Sequence, residues 1–403
     1  MHNKFKFKEG FLWGSATSSY QVEGGIENND WAEAARLGKV PNAGLACNHY
    51  HLYEKDFDII KKLNHNAYRF SIEWARIEPE EGKFNDKEIE HYKNFIKALK
   101  KRNIEPFITL WHFTLPLWFS KMGGFENQKA QFYFCRYCKY VVENLKECEV
   151  NFWATINEPL VFAGMGYLDG RWPPFKKWIN PRNIFKYLKV IKNLIKSHNK
   201  AYKEIKNLNP NLKVGIVHNC TFYDGGSNFI YKIFAKILNF FLNKFFLIKT
   251  KNNFDFIGLN HYFHQRISLK FERADKLFNK SLNKMQFSDM GWEIYPEAIY
   301  EVLKDLKEFN KPIYITENGI ADADDSRREN YIKNYLYQVW RAMQEGVDVR
   351  GYFYWSTMDN FEWADGFNPR FGLLEINYQT MERKIRKSAL EYAKICKNNI
   401  LEI

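Results

Sequence analysis

The feature that most constrains this chain is an alternation. Eight short β-rich runs recur along 403 residues, at 11–17, 67–74, 106–113, 152–159, 213–219, 255–263, 312–319 and 350–356, each followed by a longer segment. Several, such as "PFITLWHF" and "PIYITENG", are apolar almost throughout, as parallel strands covered on both faces should be. The clearest intervening segment, "NDKEIEHYKNFIKALKKRN" (85–103), carries Ile89, Tyr92, Phe95, Ile96 and Leu99 at helical spacing. Asn85 can cap its start, with Glu88 three residues on. No Pro/Gly/Ser-rich linker divides the chain, and 18–50 reads as a loop insertion. The pattern predicts α/β architecture: one (β/α)8 barrel over 1–403, a single domain with loop insertions at the C-terminal face of the strands. A doubly wound sheet would need a Gly-rich phosphate loop after the first strand, and there is none.

The net charge is +13, which raises nucleic acid and anionic membranes as partners. The lysines read as spread along the chain, and the nearest basic run, "MERKIRKSA" from 381, reads as one face of a terminal helix. A solvated basic surface with no nucleic-acid partner is therefore expected. Six cysteines are too few for a disulfide scaffold, and the "CRYC" pair (Cys135, Cys138) stands without a second pair to complete a zinc site. The first twenty residues contain no apolar stretch of signal-peptide type, and no run approaches the length of a membrane span. A cytoplasmic protein is expected.

In such barrels, chemistry resides at the C-terminal ends of the strands. Here those ends are polar: Gln21 beyond the first run, Arg69 in the second, His112, Asn157-Glu158, His218-Asn219, Asn260-His261-Tyr262, Glu317-Asn318 and Trp355. Glu158 and Glu317 stand out, because a carboxylate ending a buried strand is costly unless its charge is used. Paired carboxylates without a metal cluster suit glycoside hydrolysis, one as general acid and the other as nucleophile or base. Pro159 is expected to hold Glu158 extended. A metal-dependent lyase would need carboxylate companions for His112 and His218, and a carbohydrate-binding barrel would normally have lost one glutamate. No metal or cofactor is expected.

The motifs "FLWGSATSSYQVEG", "YRFSIEWARI", "TINEP", "YITENG" and "YWSTMDNFEWADGF…RFGL" together resemble retaining β-glycosidases of glycoside hydrolase family 1, in order, from residue 11 to about 390. The resemblance implies a retaining, exo-acting β-glycosidase, foremost a β-glucosidase, working by double displacement on a small-molecule β-glycoside. It makes Glu158 the acid/base and Glu317 the nucleophile, with Arg69 and Tyr262 beside the nucleophile. Gln21, His112, Asn157, Tyr262, Trp355, Glu362 and Trp363 would hold the sugar, and Trp292 the aglycone side. It also implies a cis peptide at Trp355-Ser356. A phosphoglycosidase would want cations where this chain has Glu362.

Two departures stand out. The sixth run reads "NHYF", with His261 where the family more often has Tyr, and the stretch between the fifth and sixth runs is short and Phe/Lys-rich. Within 228–249, Ile230, Phe234, Ile237, Leu238, Phe241 and Phe245 form one helical stripe, read first as packed against the barrel. Phe229, Phe240 and Phe246 exceed that stripe. Left exposed beside lysines, they would make a membrane-surface or subunit contact. The oligomeric state is open.

Overall fold

The structure is a computed structural model that describes residues 3–267 and 287–403. Eight parallel strands close into a barrel in chain order: β1 (Leu12–Ala16), β2 (Ala67–Ser71), β3 (Glu105–Trp111), β4 (Phe152–Asn157), β5 (Lys213–Asn219), β6 (Phe256–Asn260), β7 (Ile313–Asn318) and β8 (Val349–Trp355). β8 returns to β1 with Gly351 opposite Leu12, so no barrel edge is left unpaired. Each of the eight expected runs supplies one of these strands. The helix Asp86–Lys101 buries Ile89, Tyr92, Phe95, Ile96 and Leu99, and Asn85 accepts a hydrogen bond from the Lys87 amide at 3.1 Å.

The barrel is filled rather than hollow. Phe107, Phe152, Phe256 and Tyr314, all near strand starts, meet with Phe353 in an aromatic floor, the Phe107–Phe256 and Phe107–Phe353 centroids both 5.2 Å apart. Offset and edge-on contacts of this kind favour ring pairs beyond the area they bury. The floor separates the N-terminal end of the barrel from the C-terminal rim.

Three regions depart from the sequence reading. The stretch 18–50 is no simple loop: helical turns at Ser19–Val22 and Asp30–Arg36 bury Tyr20, Gln21 and Trp31 over the barrel mouth. The basic run from 381 is not a helix face. Glu382–Ile385 is a strand paired with Leu374–Asn377, because Arg383 and Arg386 are drawn inward by Asp56 and Asp359. Residues 228–249 do form helix, but the stripe expected to pack on the barrel is largely solvent-facing. In the turn Phe229–Leu238 only Ala235 is buried, whereas Phe246, expected to be in surplus, is fully buried.

Gly319 marks the closest approach between the two strands that close the rim. A Cβ there would lie 1.7 Å from the Trp355 carbonyl oxygen. Gly319→Ala should therefore force β7 and β8 apart, destabilising the fold by about 1–3 kcal/mol. Urea unfolding checks this, and an unchanged midpoint would contradict the packing described.

Candidate active site

Glu158 follows the last residue of β4 and Glu317 is the penultimate residue of β7. Strict alternation would turn Glu317 the wrong way. Tyr314 belongs to the barrel floor, so two-residue periodicity would aim Glu317 outward among the helices. A register irregularity after Ile315 offsets the alternation, and β4 carries a matching one between Ala154 and Asn157. Such bulges re-aim side chains at barrel rims. The backbone of Glu158 is not extended as its proline neighbour suggests. It is left-handed, with φ 44°. Pro159 disfavours the right-handed helical region for its predecessor, and the chain turns at Glu158 to begin the helix Pro159–Gly164 with proline in first position.

Glu317 is buried and fully engaged. Arg69 donates from Nη1 to its Oε1 at 2.6 Å, and Tyr262 donates its hydroxyl to Oε2 at 2.8 Å. The same guanidinium reaches across β3 to Asn157, with Nη2 2.7 Å from Oδ1. A charged fork and a phenol donor both favour the ionised carboxylate. Burial and the Glu317 charge hold the Tyr262 hydroxyl well above its ordinary value, which keeps it a donor.

Glu158 lies in a different field. Asn260 and Asn219 donate to its Oε1 at 2.7 and 3.0 Å, and among the described residues no cation touches it. Burial, and then the nearby Glu317 charge, push its carboxyl from 4.5 up to about 7, the two amides and Arg69 opposing. Glu362 is raised further, to about 8, by burial and by the charges of Glu317, Asp365 and Glu158. The rim thus holds three buried carboxyl groups, of which Glu158 and Glu362 are raised above the ordinary carboxylate range.

A cavity of about 320 Å³ opens over these groups. Every residue expected from the sequence to face the substrate lines it: Gln21, His112, Asn157, Glu158, Tyr262, Trp292, Glu317, Trp355, Glu362 and Trp363. Arg69 sits behind Glu317 and Asn157. The His112 ring is near-parallel to Trp355 and Trp363, at 6.1 and 6.0 Å. Its Nδ1 is buried with no hydrogen-bond partner among the described residues. Gln21 donates to Asn360, to the Phe361 carbonyl and to Glu362. The Trp355-Ser356 peptide is cis, as the resemblance implies.

Not every strand-end residue belongs to this site. His218 turns away and bonds the Leu242 carbonyl, and His261 turns away and bonds the Cys220 carbonyl. Burial lowers both rings to about 4, so each is neutral. The unusual histidine of the sixth run is thus a packing residue. Cys135 and Cys138 are free and buried in the helix Ala130–Asn144. Conversely, sequence reasoning did not single out Asn219 and Asn260 for the site, although each is the last residue of its strand and each binds Glu158. That terminal position was the available signal. Arg171, Trp172, Phe263 and Met290, on loops around the mouth, carried none.

The model of glycosyl hydrolase family 1 matches residues 3–248 and 230–401. Beta-glucosidase A of Thermotoga maritima is 35% identical, over 99% of this chain and 100% of its own. The 1,4-beta-D-glucan glucohydrolase of Thermotoga neapolitana is 36% identical, over 98% and 99%. Among solved structures, a beta-glycosidase from Pyrococcus horikoshii superposes with a TM-score of 0.90 at 41% identity, covering 99% of this chain and 96% of that one. A family 1 b-glucosidase from Thermotoga maritima in complex with isofagomine lactam gives 0.88 at 33% identity, covering 98% and 99%. Paired carboxyl groups at the strand ends of a closed eight-stranded barrel, matched along nearly the whole chain, place this protein in glycosyl hydrolase family 1, as a glycoside hydrolase.

Proposed function

We propose that residues 1–403 form one catalytic domain, a retaining, exo-acting β-glycosidase and specifically a β-glucosidase, working in the cytoplasm. The observation that carries the reading is the contrast between two glutamates in one cavity. Glu158 is held up near 7, while Glu317 is clasped by Arg69 and Tyr262. Groups whose environments push their proton affinities apart are suited to acid and nucleophile roles at one pH.

In the first step, the Glu317 carboxylate attacks the anomeric carbon as Glu158 gives its proton to the departing glycosidic oxygen. The glycosidic bond breaks, the aglycone leaves as its alcohol, and a glycosyl ester joins the sugar to Glu317. Esterification removes the negative charge that helped raise Glu158, so its carboxyl becomes more acidic and can act as a base. In the second step Glu158 takes a proton from water as the water oxygen attacks the same carbon. The ester breaks, and the sugar departs with its original configuration. Asn157, fixed by Arg69, would hold the 2-hydroxyl. Gln21, His112, Glu362 and Trp363 would take the remaining hydroxyls over a Trp355 floor, and Trp292 would flank the aglycone. The partnerless His112 Nδ1 supports a polar ligand there. A 6-phosphate has no evident welcome, because Gln21 and Glu362 occupy the sugar end and Arg171 is the one cation lining the cavity among the described residues. Reducing surroundings fit the six free, buried cysteines.

Product analysis tests the stereochemistry: NMR should detect the β-anomer of the released sugar first, and the α-anomer first would refute retention. Glu317→Ala should abolish turnover, with azide restoring part of it and yielding the α-glycosyl azide. Glu158→Ala should slow unactivated glycosides by about 10²–10⁴-fold and dinitrophenyl glycosides far less. Equal losses for both leaving groups would remove the acid role.

The protonated form of Glu158 begins the reaction, so kcat/KM should fall as pH rises through about 7. Removing a donor to its charged form, as in Asn219→Ala, should move that limb upward, and a downward shift would contradict the assignment. Arg69→Met would strand the Glu317 charge and should cost about 3–5 kcal/mol of stability. Adding Glu317→Gln should recover part of this loss in urea unfolding. A double variant no more stable than the single one would show that the pair is not coupled as described.

A further inference from the structure

The charge of this chain is not evenly spread, as its lysines alone suggest. Residues 170–203 hold ten Lys or Arg and 225–254 hold five, and neither stretch contains an Asp or Glu. Together they exceed the whole net charge of +13, so the rest of the chain is slightly acidic.

The fold brings these two stretches together. The helix Phe245–Thr250 packs on the long helix Pro181–Leu208, and Phe229–Leu238 packs on the short strand Phe222–Asp224. Tyr223 in that strand lies within electrostatic reach of Tyr187. The shared surface is both basic and apolar. Trp178, Ile179, Phe185 and Phe229 are 66, 78, 73 and 76% exposed, and Phe234 and Phe241 are exposed with them. Lys176 and Lys186 pair with Glu126, and Lys244 pairs with Asp305 and Glu308. Lys177, Arg182, Lys189, Lys232, Lys236 and Lys249 have no ion pair among the described residues. Trp178 donates its amide to the Leu168 carbonyl at 2.9 Å, closing a strap whose Met165, Arg171 and Trp172 line the cavity. The patch therefore borders the mouth of the site.

We propose that this face docks on an anionic lipid bilayer, its Phe, Trp and Ile side chains entering the headgroup boundary and its lysines meeting the lipid phosphates. Exposed apolar clusters of this extent mark interaction surfaces, and interleaved lysines with aromatic and aliphatic groups are the pattern of interfacial helices. A second copy seated on the same face would bring two surfaces with excess positive charge together, which repel. A nucleic acid would use the lysines and some rings but would leave the isoleucines in water. Docking does not depend on what the site hydrolyses.

Flotation with vesicles of phosphatidylcholine alone, or with phosphatidylglycerol added, tests the proposal in the full chain. Binding should require phosphatidylglycerol, weaken with salt, and drop about five-fold for each lysine removed. Lys232→Ser with Lys236→Ser should thus lose roughly twenty-fold. Phe229→Ser, Phe234→Ser and Phe241→Ser combined should abolish binding while leaving the circular dichroism spectrum unchanged, because all three side chains are exposed and none belongs to the core. Absence of vesicle binding would overturn the idea. So would lipid-free self-association that the phenylalanine variant removes, or single-stranded DNA binding that survives it.

Discussion

One guanidinium holds the rim of this barrel together. Arg69 on β2 contacts Glu317 on β7 and Asn157 on β4, so three strands that are not neighbours are tied through one buried cation. Its charge is the only one in hydrogen-bond contact with any of Glu158, Glu317 and Glu362 among the described residues. Three buried carboxyl groups cannot all ionise beside a single cation. The pair forms at Glu317, and burial, then the Glu317 charge, raises the proton affinity of the other two. The two central glutamates therefore differ in surroundings: Glu317 holds the arginine, and Glu158 is buried with amide donors alone.

Placement in turn depends on the strand ends. Asn157, Asn219 and Asn260 each terminate a strand, and Asn260 links Glu158 to Asn157 while accepting from Thr316 on β7. Amides suit this position because they donate and accept without adding charge to a crowded field. The irregularity in β7 adds the half-turn that regular alternation would deny Glu317. Beneath the strand ends lies the aromatic floor, and the helical turn Ser19–Val22 brings Gln21 to the cavity wall.

Much of this was legible in the sequence, for definite reasons. Strands buried on both faces read as apolar runs, and a polar residue ending such a run is conspicuous, which is why Glu158, Glu317, His112 and Trp355 could be picked out. Local backbone was less legible. Pro159 excludes one conformation of Glu158 but does not choose between the extended and left-handed alternatives. The strand Glu382–Ile385 was hidden because Arg383 and Arg386 look like surface residues until Asp56 and Asp359 arrive from distant segments. Residues 228–249 misled in the opposite sense. Their periodicity foretold a helix correctly, but an apolar stripe does not say which surface it meets. The better signal was the lack of acidic residues across two segments that only the fold makes adjacent.

The central claim is that Glu158 is held near 7 by burial and by the Glu317 charge. Carbon-13 NMR titration of the Glu158 side-chain carboxyl, in the intact chain and in Glu317→Gln, tests it directly. The account predicts a midpoint near 7 in the former and a clearly lower one in the latter. A midpoint in the ordinary carboxylate range in both, or one that Glu317→Gln leaves in place, would contradict it.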